Sequence, residues 1–183
     1  DDLTNQGYEA TFLAIGCHVG MPLDCPGADA EGVLDAVQFL RDLALHKPPT
    51  IGKRVAVIGG GDTAIDSARS CLRLGAEEVH LIYRRTREEM PAHPAEVEEA
   101  VHEGVQLHFL AAPREVLVTD GRVSGLVCQS MTLGDWDSSG RRSPQPVEGA
   151  DFTLNVDTVI AAIGQRLDRD CVCVDCAGGR ICT

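Results

Sequence analysis

The chain has 183 residues, 44% of them hydrophobic and 24% charged, which is enough apolar material for one packed domain and excludes a disordered tail or a collagen-like repeat. No apolar run reaches the ~18–20 residues of a membrane span. The net charge of −12 and an aromatic content of 4% argue against a nucleic-acid partner, which needs a basic surface and stacking platforms.

The first residues, Asp1-Asp2-Leu3-Thr4, read neither as a signal peptide nor as a native start. Eight cysteines in a chain of this size read as reduced thiols in a cytoplasmic setting rather than as a disulphide framework. Residues 8–16 form an apolar run ending in Gly16 and predict a buried strand. Residues 20–32, rich in Gly, Pro and Asp, predict a loop, and the apolar spacing of 33–45 predicts a helix ended by Lys47-Pro48-Pro49.

From Arg54 the pattern becomes strand, helix, strand, helix, strand. The segments are 54–59, 63–74, 79–83, 94–102 and 106–110. This is the sequence form of a parallel α/β sheet. Residues 115–128 alternate as a β-hairpin around Asp120-Gly121. Residues 134–150 are polar and predict a loop, and 157–164 predict a last buried strand. If the strands at 8–16 and 157–164 are cut from a sheet, they leave a sticky edge.

The strongest motif is Val55-Ala56-Val57-Ile58-Gly59-Gly60-Gly61-Asp62-Thr63-Ala64. It fits G-x-G-x-x-A in its required context, after a strand and opening a helix. Gly59 permits the tight turn, Gly61 admits a pyrophosphate, and small Ala64 lets helix and strand pack closely. The alternative is a Gly-rich turn that binds nothing. Asp62 has two open roles, capping the helix or touching the cofactor, and capping is the expected one.

At the end of the next strand an NAD-binding unit carries an acid for the ribose. This chain has Arg84-Arg85-Thr86-Arg87 about 20 residues past the Gly-rich turn. Arginines there suit a 2′-phosphate and hence NADP(H). The alternative is a solvated turn in which they balance Glu88 and Glu89. Cys171, Cys173, Cys176 and Cys182 match neither an iron–sulfur nor a paired zinc spacing, so no metal site is expected and the cysteines read as small packing residues. His80 reads as structural. No residue is singled out as catalytic.

These motifs, with Leu72-Arg73-Leu74-Gly75-Ala76, Glu89-Met90-Pro91-Ala92, Glu96-Val97 and Glu103-Gly104-Val105, resemble the NADPH-binding domain of the glutamate synthase small subunit (beta chain) family. That family is related to dihydropyrimidine dehydrogenase and to the large subunit of the NADH-dependent ferredoxin:NADP oxidoreductase. The resemblance implies a Rossmann-like α/β domain, a parallel sheet with helices plus a β-hairpin, inserted in the flavin domain of a two-dinucleotide-binding-domain flavoprotein. It implies a division into 1–46, the end of a flavin-domain strand and its crossover; 47–156, the NADPH-binding domain; and 157–183, the return segment.

It also implies that NADPH passes a hydride to FAD and that electrons continue to an iron–sulfur partner or large subunit. Gly59, Gly60, Gly61, Asp62, Thr63 and Ala64 would fall on the pyrophosphate, and Arg84, Arg85 and Arg87 on the 2′-phosphate. Ala162, Ile163 and Gly164 would approach the nicotinamide or the flavin. The family's first flavin motif and its closing Gly-Asp segment are not in this sequence, so an excised domain that holds NADPH but not FAD is expected. A non-catalytic NADP(H)-sensing module and an NADH-using relative are the competing readings.

Overall fold

The computed structural model describes residues 5–10, 12, 14–138, 140–168, 176–177 and 180–181. They fall into two units, Gly20–Gly164 and the remainder. In the smaller unit β1 (Val19–Gly20), which ends at the boundary, pairs with β10 (Gln165–Arg166), and β11 (Cys176–Ala177) pairs antiparallel with β12 (Arg180–Ile181). The strand expected over 8–16 is not formed in the described residues. Tyr8 and Phe12 are exposed there. An apolar run becomes a strand only beside a hydrogen-bonding neighbour, and among the described residues this run has none. Cys171, Cys173 and Cys182 lie outside the described residues, and of Cys176 only the backbone is within them.

The larger unit is built on a five-stranded parallel sheet. Its strands are β2 (Val33–Asp35), β3 (Arg54–Ile58), β4 (Glu78–Tyr83), β5 (Gln106–Phe109) and β9 (Thr158–Ala161), in the order β2-β9-β3-β4-β5. Parallel strands need crossovers, and the sequence supplies helices for three of them: α1 (Ala36–Ala44), α2 (Asp62–Arg73) and α3 (Pro94–Glu103). All three lie on one face.

Three residues expected in the first helix, Val33 to Asp35, pair with β9 instead, and Asp35 caps α1 by accepting the Gln38 N–H at 2.8 Å. Gly75 (φ 94°) and Gly104 (φ 109°) end α2 and α3 in the left-handed conformation that glycine adopts without a steric penalty.

The strands are buried on both faces, which explains their continuous apolar runs. Val55, Val57, Val79, Leu81 and Ile160 join Ile65, Ala68 and Val97 of the helices in one core. The alternate residues Ala56, Ile58, Ile82, Val159 and Ala161 join a second core on the opposite face.

That second core is closed by an antiparallel sheet of β6 (Ala111–Thr119), β7 (Arg122–Trp136) and β8 (Arg142–Leu154), contributing Val116, Val123, Leu126 and Cys128. The β6–β7 turn is Asp120-Gly121, both at positive φ (51° and 79°), as a two-residue hairpin of matching twist requires.

The loop expected over 134–150 is instead mostly strand. β7 runs to Trp136 and β8 begins at Arg142, with Met131 opposite Pro146 and Thr132 opposite Gln145. The ladder is legible only in three dimensions, because most of this part of β8 is exposed and carries no apolar alternation. Its prolines are tolerated on an edge strand. No helix among the described residues is long and apolar enough to cross a membrane.

The compact unit that holds β2, α1 and β9 runs from Gly20 to Gly164. β9, expected as a return segment with a sticky edge, lies inside the sheet between β2 and β3.

Candidate functional site

The strand order reverses direction at β3. From β3 the chain moves outward to β4 and β5, whereas β9 and β2 lie on its other side. In open α/β sheets a crevice for ligands opens beyond the carboxyl ends of the strands at such a switch point. The turn after β3 and the segment after β9 lie at that point.

Gly59 is at φ 148°, its N–H donates to the Ile82 carbonyl at 3.0 Å, and a Cβ there would collide with the Ala162 carbonyl oxygen. Ala162 in turn donates to the Ile58 carbonyl at 2.8 Å. The two segments that the sequence singled out are thus brought together by backbone contact. Ile163 and Gly164 continue from Ala162 and are exposed.

Gly60 is buried against the ring of Tyr83, and its carbonyl accepts the Ala92 N–H at 3.1 Å. Gly61 differs, because a Cβ there would meet only open space. It is the N-cap of α2 and offers no side-chain cap, so among the described residues the N–H groups of Gly61, Asp62 and Thr63 meet no acceptor. These orphan donors and the positive end of the helix dipole make a cradle for an anionic group. Ala64 is fully buried, and Ile65 behind it packs into the helix-side core.

Asp62 does not cap its own helix. It is the first helical residue of α2, and its carboxylate accepts the His93 N–H at 2.9 Å, tying the start of α2 to the start of α3. Its carboxylate is thus engaged at the neighbouring helix entry rather than at the N–H groups of its own turn.

The three arginines behave differently. Arg84 is exposed, and among the described residues no hydrogen bond or ion pair holds it. Arg85 is 3% exposed. Its Nε donates to the Arg142 carbonyl at 2.7 Å and its Nη2 to an Asp137 carboxylate oxygen at 2.7 Å. The expectation that Arg85 faces a phosphate is therefore corrected: the period of two along the chain turns it toward the β7–β8 ladder, where a buried cation must be paired.

Arg87 is exposed and lies 3.4 Å from Glu98. Glu89 does not balance these arginines. It accepts from Thr86 in a capping box, and the Thr86 hydroxyl holds its carboxyl below the usual range. The Tyr83 hydroxyl, which the sequence did not single out, donates to the Glu89 carbonyl at 2.7 Å and braces the same turn.

Among the described cysteines, Cys71 and Cys128 are buried in the two cores, and burial pushes both thiols up to about 12. They are protonated packing residues. No cluster of metal-ligating side chains is found among the described residues.

The family model for pyridine nucleotide-disulphide oxidoreductases matches residues 1–181. This chain belongs to that family. Among its relatives, the NADP(+)-dependent formate dehydrogenase subunit beta of Moorella thermoacetica is 49% identical over 91% of this chain, which spans 24% of that protein. A protein assigned as a glutamate synthase [NADPH] small chain in Cereibacter sphaeroides is 38% identical over 86% of this chain and 40% of its own length.

The structure of Mycobacterium tuberculosis FprA in complex with NADPH superposes with a TM-score of 0.75 at 20% identity, covering 98% of this chain and 57% of that one. The last likeness shows the fold. The α/β nucleotide-binding architecture and the resemblance to the glutamate synthase small subunit family are both borne out, and the chain is a domain of the oxidoreductases of this family. It spans about a quarter to two fifths of the length of the two relatives named.

Proposed function

We propose that this domain binds NADPH and presents it to FAD held by another domain of a longer chain, for hydride transfer. The observation that carries the proposal is a pair of anion-binding features at the carboxyl ends of two adjacent parallel strands, β3 and β4. The open N-terminus of α2 at Gly61 lies at one place, and the unpaired Arg84 closes the neighbouring strand. A dinucleotide with a 2′-phosphate carries anionic groups at both places, and the room at Gly61 fits the first.

In this reading the N–H groups of Gly61, Asp62 and Thr63 hold the pyrophosphate. Gly59, Gly60 and Ala64 keep the turn tight enough for it, and Arg84 takes the 2′-phosphate with Arg87 beside it. Ala162, Ile163 and Gly164 shape the nicotinamide or flavin end. The chemistry such a cofactor supplies is a two-electron hydride transfer. This chain binds and orients, and needs no acid or base of its own. NADP(+) or NADPH in the names of the two relatives supports the choice of dinucleotide, and the designations subunit beta and small chain support a larger assembly. The free thiols Cys17, Cys25, Cys71 and Cys128 support a reducing, cytoplasmic setting.

Calorimetric titration with NADPH and NADH at low and moderate salt tests the proposal. NADPH is expected to bind more tightly, and Arg84→Ala is expected to weaken NADPH about tenfold while leaving NADH unchanged, as loss of a charge-assisted phosphate contact implies. Equal affinity for the two would remove the arginine assignment, and no binding of either would remove the nucleotide site.

A further inference from the structure

Arg84 is an exposed residue between two anchored neighbours. On one side, the Tyr83 ring lies where a Gly60 side chain would be, and its hydroxyl donates to the Glu89 carbonyl at 2.7 Å. On the other, Arg85 is held by both its backbone and its side chain. Its carbonyl accepts the Leu110 N–H at 3.1 Å, and the Leu110 carbonyl accepts the Met131 N–H of β7 at 2.7 Å. Leu110 sits at φ 51°, a conformation that side chains other than glycine rarely adopt, so this link is made at a steric cost.

The Arg85 guanidinium uses two of its N–H groups on two acceptors, the Asp137 carboxylate and the Arg142 carbonyl, each at 2.7 Å. Both acceptors are themselves fixed. The Asp137 N–H donates to the Arg141 carbonyl at 2.7 Å, and its other carboxylate oxygen accepts the Arg141 N–H at 3.2 Å. Arg142 pairs with Trp136 in the β7–β8 ladder, and its side chain donates to the Leu133 carbonyl at 2.7 Å and the Gly134 carbonyl at 3.1 Å. A buried ion pair adds little net stability, because desolvation offsets its attraction. What this one fixes is the backbone that carries Arg84.

We propose that the Arg85–Asp137 pair is a positioning device that holds Arg84 for the ribose 2′-phosphate, so that the preference for NADPH over NADH depends on a carboxylate in the β7–β8 turn. The inference rests on the NADPH reading above and adds what preorganises its phosphate-binding arginine. An arginine on a fixed backbone gives up less freedom when it binds than one on a loose turn. Positioning and simple charge give opposite signs. By charge alone, removing the Asp137 carboxylate favours a nearby anion and strengthens NADPH binding. By positioning, removing it loosens Arg84 and weakens NADPH binding.

The test is a double-substitution cycle on the 183-residue chain, with NADPH and NADH titrated calorimetrically into each variant. Asp137→Asn is expected to weaken NADPH about fivefold and to leave NADH unchanged. In the Arg84→Ala background it should have no further effect on NADPH, because the residue being positioned is gone. Arg85→Lys keeps the charge but loses the planar fork that spans both acceptors, so it should show the same selective loss. It also serves if Asp137→Asn does not fold. Unchanged or tighter NADPH binding, equal losses for the two dinucleotides, or losses that add to that of Arg84→Ala would overturn the positioning role while leaving the NADPH reading intact. Absence of binding of either dinucleotide to the unsubstituted chain would overturn both.

Discussion

At Gly59 the constraint is backbone shape. The residue sits at φ 148°, and its missing Cβ is what lets the Ala162 carbonyl lie against the turn. Gly59→Ala therefore combines a disfavoured dihedral with a clash against backbone that cannot rotate away. It should lower the urea-unfolding free energy by about 2–4 kcal/mol. Gly61→Ala, where a Cβ meets open space, should leave stability within about 1 kcal/mol and weaken nucleotide binding instead. An equal stability loss in both variants would contradict this division.

The motif itself was legible in the sequence, because a Gly-x-Gly between an apolar strand and a helix has few other uses. The division of labour among the arginines was not. Arg84 and Arg85 are identical in type and adjacent. Only the partner strand shows that one is free and the other is bound to Asp137.

At the scale of the element, β4 and β5 bring His80 and His108 together on the side of the antiparallel sheet. The His80 Nδ1 lies 3.0 Å from the His108 Nε2, and the His108 ring stacks on Phe152 of β8. One ring must donate and the other accept, so the contact requires at least one neutral imidazole. Burial holds both below the usual histidine value. Glu78, 3.7 Å from His80, opposes the shift there, and the charge of His80 adds to it at His108.

A depressed pKa means that the unfolded chain binds more protons than the folded one just below pH 6.5. Stability contributed by the neutral pair is thus complete above about pH 6.5 and falls as the solution is acidified through that window. The urea midpoint should be lower at pH 5.5 than at pH 7.5, and His108→Phe should flatten the slope. An unchanged slope in that variant would remove the pair as its cause. The sequence marked His80 as structural. Its partner could not be read, because the two residues meet only through the parallel register of the strands.

For the larger unit as a whole, the important fact is that two cores share one sheet. Along β9, Ile160 faces the helices while Val159 and Ala161 face the antiparallel sheet. Neither core can open without exposing the other face of the same strands. Leu126→Ala, which removes a fully buried side chain from the second core, should cost about 2–5 kcal/mol. Amide-exchange protection should then fall in α2 as well as in β7. Protection lost in β7 alone would mean that the two cores unfold separately.

The order of elements from Arg54 to Phe109, the helix ends at Gly75 and Gly104, the Asp120-Gly121 turn and the nucleotide-binding fingerprint were determined by the sequence itself. Each rests on local chemistry: apolar periodicity, a glycine where φ is positive, and a Gly-rich turn at a helix start. The tertiary structure alone decided that residues 33–35 are an edge strand, that 142–154 are a strand at all, and that β9 lies within the sheet. It also decided that Asp62 serves α3 and that Arg85 is buried and bound to Asp137. Each of these depends on a hydrogen-bonding or packing partner distant along the chain, and a local pattern carries no information about which distant partner will arrive.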